Sequence, residues 1–126
     1  MLEPFAAVGI GAAIGAWLRW GLTVWLNAKV PQFPAGTLAA NLIGGYLVGI
    51  AVAFFAVRSD LPDAWRLFAI TGLLGGLTTF STFSGEVASL LLRGHHVDAL
   101  LLAFAHLAGS ILLTIAGIAS FQLATR

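Results

Sequence analysis

Over residues 75–86 the chain reads GGLTTFSTFSGE, and most of those residues could take part in chemistry. Thr78, Thr79, Ser81 and Thr82 carry hydroxyls, Gly75 and Gly76 weaken a helix, and Glu86 is a lone acid. Phe80 and Phe83, three apart, share one helical face. A backbone broken here would expose carbonyls suited to a cation, and a helix restarting near Thr78 or Thr79 would turn its positive end toward anions. An aromatic ring has a negative face and a positive edge, so two rings presented edge-on could solvate a small anion yet let it leave, as conduction requires. The competing reading of both rings is packing against lipid or a partner helix.

Other polar residues sit where lipid is expected. Asn41, in GTLAANLIGGYLVG, either makes an interhelical hydrogen bond or turns its amide N–H groups toward an anion path. Arg19, flanked by Trp17 and Trp20 in GAWLRWGL, either snorkels to headgroups or draws anions into a vestibule. Glu86 accepts hydrogen bonds from a neighbouring helix or holds a cation. His106, Ser110 and Thr114 are spaced by four and form a polar stripe along one helix, although the two hydroxyls can also bond back to carbonyls four residues earlier.

The elements that must position these groups follow from composition. Of 126 residues, 60% are hydrophobic and 9% charged, whereas a soluble domain is about 25% charged. A spanning helix needs about 20 mostly apolar residues, and the chain supplies four such runs, at residues 4–26, 33–57, 67–92 and 99–123. These predict an all-α membrane protein in which residues 1–126 form a single four-helix transmembrane domain. The first run is too long for a signal peptide and lacks a basic start, so it reads as a retained helix. As a straight helix the third run would span about 39 Å against a hydrocarbon core of about 30 Å. A break in this run, where Gly72, Gly75 and Gly76 weaken helix, relieves that mismatch, and alanine at Gly75 is expected to straighten it. Broken backbone at membrane depth must be buried in protein or line a cavity.

With no cysteine there are no disulfides, thiolate metal sites or cysteine nucleophiles, and the net charge of +1 leaves no nucleic-acid footprint. No phosphate loop, zinc motif or catalytic triad is present, so an enzyme is not expected. Short Pro, Gly and Asp-bearing connections imply an up-down bundle. Lys and Arg divide evenly, with Arg58, Arg66 and Arg126 on one side and Lys29, Arg93 and Arg19 on the other. Either the chain has too few charges to bias its insertion, or copies insert both ways and pair antiparallel. Small-xxx-small pairs at Gly11/Gly15, Gly45/Gly49, Gly72/Gly76 and Ala105/Gly109 suit close helix packing.

The segments GAWLRW, GTLAANLIGGYLVG and, above all, GLLGGLTTFSTFSGE resemble the Fluc (CrcB) fluoride channels, and the likeness covers essentially the whole chain. It implies an antiparallel dual-topology homodimer in the bacterial inner membrane, with two fluoride pores and a structural sodium ion at the dimer interface. By the same resemblance, Phe80, Phe83 and Asn41 belong to the pore. The carbonyls of Gly75 and Thr78 hold the sodium, two from each subunit. Ser81, Thr82, His106, Ser110 and Thr114 form a hydroxyl-rich pore track, and Phe104 stands where family members can carry Tyr. The implied activity is passive, fluoride-selective export that lowers cytoplasmic fluoride. A rival reading is a small dual-topology proton-coupled drug exporter, but its membrane acid belongs on a substrate-binding helix and the one candidate is Glu86. A structural assembly subunit leaves the polar stripe and TTFSTF unexplained.

Overall fold

A bilayer offers the backbone no hydrogen-bond partners, so each apolar run must satisfy its own N–H and C=O groups as helix. The computed structural model describes residues 1–126 and is entirely helical. Helix α1 spans Leu2–Lys29 and α2 Ala35–Val57. The third span comprises α3 (Asp63–Arg66), a π-helical segment (Leu67–Leu74), α4 (Gly75–Leu77) and α5 (Ser81–Leu92). Helix α6 covers His96–Ala124. Four stretches, Leu2–Lys29, Ala35–Val57, Asp63–Leu92 and His96–Ala124, are long and apolar enough to cross a membrane.

Pro34 and Pro62 stand just before α2 and α3, where a missing N–H does no harm. Gly94 takes φ +82° in the turn after α5, a conformation open to glycine. The helices run beyond the apolar runs: α1 continues through Asn27 and Lys29, and α6 takes in His96 and Asp98. Asp98 in a first turn and Lys29 in a last turn each complement the helix dipole, so polarity there does not end the helix.

Two tightly packed pairs build the bundle: α1 lies along the π segment and α4, and α2 lies along α6. Both rest on glycine. A Cβ at Gly11 would stand 2.5 Å from the Phe68 carbonyl oxygen, and one at Gly76 would stand 2.5 Å from that of Ala12. Across the other seam, a Cβ at Gly49 would lie 2.9 Å from the Ile118 nitrogen and one at Gly117 3.0 Å from the Ile50 nitrogen. Without a hydrophobic force between helices in lipid, such backbone approach supplies the attraction. Ala40, Leu74 and Leu77 form the core where the pairs meet. Only 18 of 126 residues are buried, so most apolar side chains face outward, as suits a chain solvated by lipid.

At the end of α4 the backbone changes course. Thr78 is extended, at φ −91° and ψ 158°, and α-helix resumes at Ser81. Gly75 is not the residue that turns: its φ of −63° and ψ of −38° are ordinary right-handed helix. A Cβ there would meet only the Ile70 carbonyl oxygen, at 3.4 Å. The departure from helix lies three residues after Gly75, at Thr78, so the expectation that alanine at 75 straightens the segment does not follow from the dihedrals of Gly75.

Candidate functional site

Thr79 lies between α4 and α5, and its peptide groups have no helical partners of their own. Asn41 on α2 takes both of them. Its Oδ1 accepts from the Thr79 N–H at 2.8 Å, and its Nδ2 donates to the Thr79 carbonyl at 2.9 Å. The side-chain amide thus does the work of a peptide group from a neighbouring strand. Asn41 Nδ2 also lies 2.9 Å from Nδ1 of His106 on α6. The Thr79 hydroxyl accepts from the Thr82 N–H at 3.3 Å, covering a free donor in the first turn of α5.

His106 is 3% exposed, and the Phe83 ring stacks on it with centroids 4.3 Å apart and planes 29° apart. Phe80 meets Phe83 edge to face, at 5.4 Å and 77°. The two phenylalanines differ sharply in setting, with Phe83 6% exposed and Phe80 70% exposed. Asn41, Phe80, Phe83, His106 and Ser110 line one groove of about 420 Å³ together with Gly75, Thr78 and Thr79. The carbonyl oxygens of Gly75 and Thr78 accept no hydrogen bond from the chain, because Thr79 N–H goes to Asn41 and Thr82 N–H to the Thr79 hydroxyl.

The remaining predicted residues lie elsewhere. Thr114 Oγ1 donates within the α2–α6 seam, 2.9 Å from the carbonyls of both Gly45 and Ser110, and is outside the groove. Ser81 is exposed and Phe104 is 72% exposed; neither lines the groove. Arg19 turns inward, its Nε donating to the Gly76 carbonyl at 3.1 Å, so it grips the end of α4 instead of reaching toward headgroups. Thr82 and Glu86 line a second groove, of about 650 Å³, with Arg93 and the residues of the α1–α2 connection. There Thr37 Oγ1 donates to Glu86 Oε1 at 2.7 Å, while Oε2 is buried without a partner.

Sequence reasoning overlooked Thr37, took Arg93 only as a charge and took Thr79 only as a hydroxyl or a helix start. Thr37 lies one helical turn before Asn41 on the same face, a signal that could have been read. Thr79 meets Asn41 through its peptide groups, which no side-chain pattern reveals.

Together these features define a class: a small multi-pass membrane protein with an aromatic and amide-lined groove beside an irregular stretch of backbone. The sequence model of the family described as "CrcB-like protein, Camphor Resistance (CrcB)" matches residues 6–118, and the chain belongs to that family. It is 62% identical over 113 residues to the "Fluoride-specific ion channel FluC" of Ralstonia pickettii (strain 12J), covering 90% of each chain. A protein of the same name from Thiobacillus denitrificans (strain ATCC 25259 / T1) is 59% identical over 121 residues, 96% of this chain and 98% of that one. Another from Pseudomonas putida (strain W619) is 55% identical over 121 residues, 96% and 95% of the two chains.

Proposed function

We propose that the protein is a fluoride-selective channel that lets the anion leave the cell passively, lowering its cytoplasmic concentration. The observation that carries this reading is the groove itself, in which Phe80 and Phe83 meet edge to face beside His106 and Ser110. A ring's positive edge solvates an anion without the charge that would hold it fast. An inside-negative potential drives an anion outward by about 2.3 kcal/mol per 100 mV. Neutral HF enters from acid surroundings and releases fluoride in the near-neutral cytoplasm, so a passive path suffices. The second groove, with Thr82, Glu86 and Arg93, serves as the vestibule, and Arg19 fixes the end of α4 beside the path.

The functional unit is an antiparallel homodimer with two pores. Two observations support it: the even division of Lys and Arg, and the exposure of Phe80, whose ring has one side open in a single chain. The Gly75 and Thr78 carbonyls fit a structural sodium ion between the subunits, since both are oxygen ligands unused by the chain and a hard cation prefers such ligands. Two from each subunit would hold it, and the bound ion supplies positive charge that steadies the irregular backbone. Of the predicted pore track, Ser110 and His106 are assigned to the path and Thr114 to the seam.

The test is ion efflux from proteoliposomes loaded with fluoride or chloride. Fluoride is expected to empty rapidly and chloride to remain. Equal efflux of both, or retention of fluoride, overturns the reading. A cysteine introduced at Lys29 should react with an impermeant reagent from both membrane faces, and reaction from one face alone removes dual topology.

A further inference from the structure

The amide of Asn41 cannot be turned over. Thr79 N–H is a donor by its chemistry, so the atom facing it must be the oxygen, and Nδ2 therefore faces both the Thr79 carbonyl and His106 Nδ1. Nδ2 has two hydrogens, and these two acceptors engage both. A donor facing Nδ1 requires that nitrogen to be bare. An imidazole bare at Nδ1 is neutral and carries its proton on Nε2. His106 Nε2 is buried and has no hydrogen-bond partner in the chain.

We infer that Asn41 is a positioning residue that fixes the tautomer of His106, and that the His106 Nε2–H is the group that donates to the permeating anion. This rests on the channel reading and deepens it. Asn41, which carries the most conspicuous free amide in the sequence, has no hydrogen left to offer. His106 has one, on a residue lining the groove and almost wholly buried. Phe83 covers a face of the imidazole, which leaves the ring's rim, to which N–H groups belong, as the way for an ion to engage it. Fluoride, small and the strongest hydrogen-bond acceptor of the halides, gains most from such a donor. Bulkier, weaker acceptors replace less of their hydration there, so a fixed N–H adds selectivity that a ring edge alone does not provide.

The test uses full-length protein in bilayers with nitrogen-15-labelled histidine, His95→Gln and His96→Gln removing the two exposed histidine signals. The His106 spectrum should show a bare Nδ1 and a protonated Nε2, and magnetisation from fluorine-19 of added fluoride should reach Nε2 alone. Asn41→Ser should mix the tautomers. His106→Gln, which returns an amide donor near the Nε2 position, should keep most fluoride efflux. His106→Asn, whose amide falls near Nδ1, should lose about tenfold or more, as fits loss of a hydrogen bond to a charged group. A protonated Nδ1, or no transfer to Nε2 in protein that passes fluoride normally, overturns the inference and leaves the channel reading intact. Equal efflux from the Gln and Asn variants does the same. Absence of fluoride efflux from unsubstituted protein removes the channel reading and this inference with it.

Discussion

Toward the end of α6, Thr114 and Ser120 both find acceptors within the chain. Thr114 bonds the carbonyls of Gly45 and Ser110, Tyr46 donates to Ser120, and Ser120 donates to the Ala116 carbonyl. Earlier in the same helix, His106 is only 3% exposed yet keeps a buried ring nitrogen without a partner. Both regions face α2, and both belong to one stripe of spacing four. The difference teaches that helical periodicity sets which face a residue takes, whereas the backbone opposite decides whether its polar atoms are satisfied. Beside Thr114, α2 is regular and close, held there by Gly45 and Gly49. Beside His106, the chain has left helical geometry at Thr78, and Asn41 must mend what that leaves open.

The comparison can be broken most directly at Phe83. On the proposed reading Phe83→Ile removes a ring edge and keeps apolar bulk, so fluoride efflux should fall by at least about tenfold, about 1.4 kcal/mol at the barrier. Size-exclusion elution should stay that of the unsubstituted protein. Unchanged efflux from well-folded protein would make the ring scaffold and erase the distinction between the two regions.

On the seam side the sign reverses. Gly117→Ala places a Cβ into the Tyr46 carbonyl oxygen, and overpacking of this kind costs about 1–3 kcal/mol. Thermal unfolding in detergent should begin earlier, while the protein that remains folded conducts normally. Loss of flux without loss of stability would show that the seam belongs to the path.

Ser110 and Thr114, one turn apart, sharpen the boundary. Ser110→Ala should lower efflux several-fold, on the scale of a single hydrogen bond of about 1 kcal/mol. Thr114→Val should leave efflux unchanged and cost about 0.6 kcal/mol of stability, the mean for an interhelical hydrogen bond in a membrane. Reversed outcomes would restore Thr114 to the pore track. The smallest effect is expected at Gly75→Ala: near-native efflux and retained sodium-dependent stabilisation, because the added methyl meets nothing closer than 3.4 Å. Loss of the sodium response would return to Gly75 the conformational role its dihedrals deny it.

How far the sequence could be read follows from the same residues. Four apolar runs foretold four helices because lipid leaves the backbone no other choice. Phe80, Phe83, Asn41 and His106 could be singled out by type, and the structure brings them to one groove. The partners of Asn41 were not legible, since Thr79 contributes peptide atoms that every residue possesses. Nor was the unequal exposure of the two phenylalanines, which depends on α6 covering one ring and not the other. Arg19 was ambiguous for a similar reason: its acceptor is the Gly76 carbonyl. For the Asn41–Thr79 pair and for Arg19 the missing information lay in the main chain, where sequence is silent.

The π-helical segment Leu67–Leu74 has a consequence for how the gene can change. There the Gly75 N–H reaches back five residues to the Ile70 carbonyl, so each turn holds more chain than an α-turn. Deleting one residue from that stretch lets it tighten to α-helix while the chain beyond keeps its facing. The same deletion within Gly75–Leu77 finds no slack, and turns everything after it by about 100°, the rotation per residue of a 3.6-residue turn. Phe83 would then leave His106. Tolerance to insertions and deletions should therefore be concentrated in the half of the third span before the irregular backbone, and a chain one residue shorter there can still carry the same site.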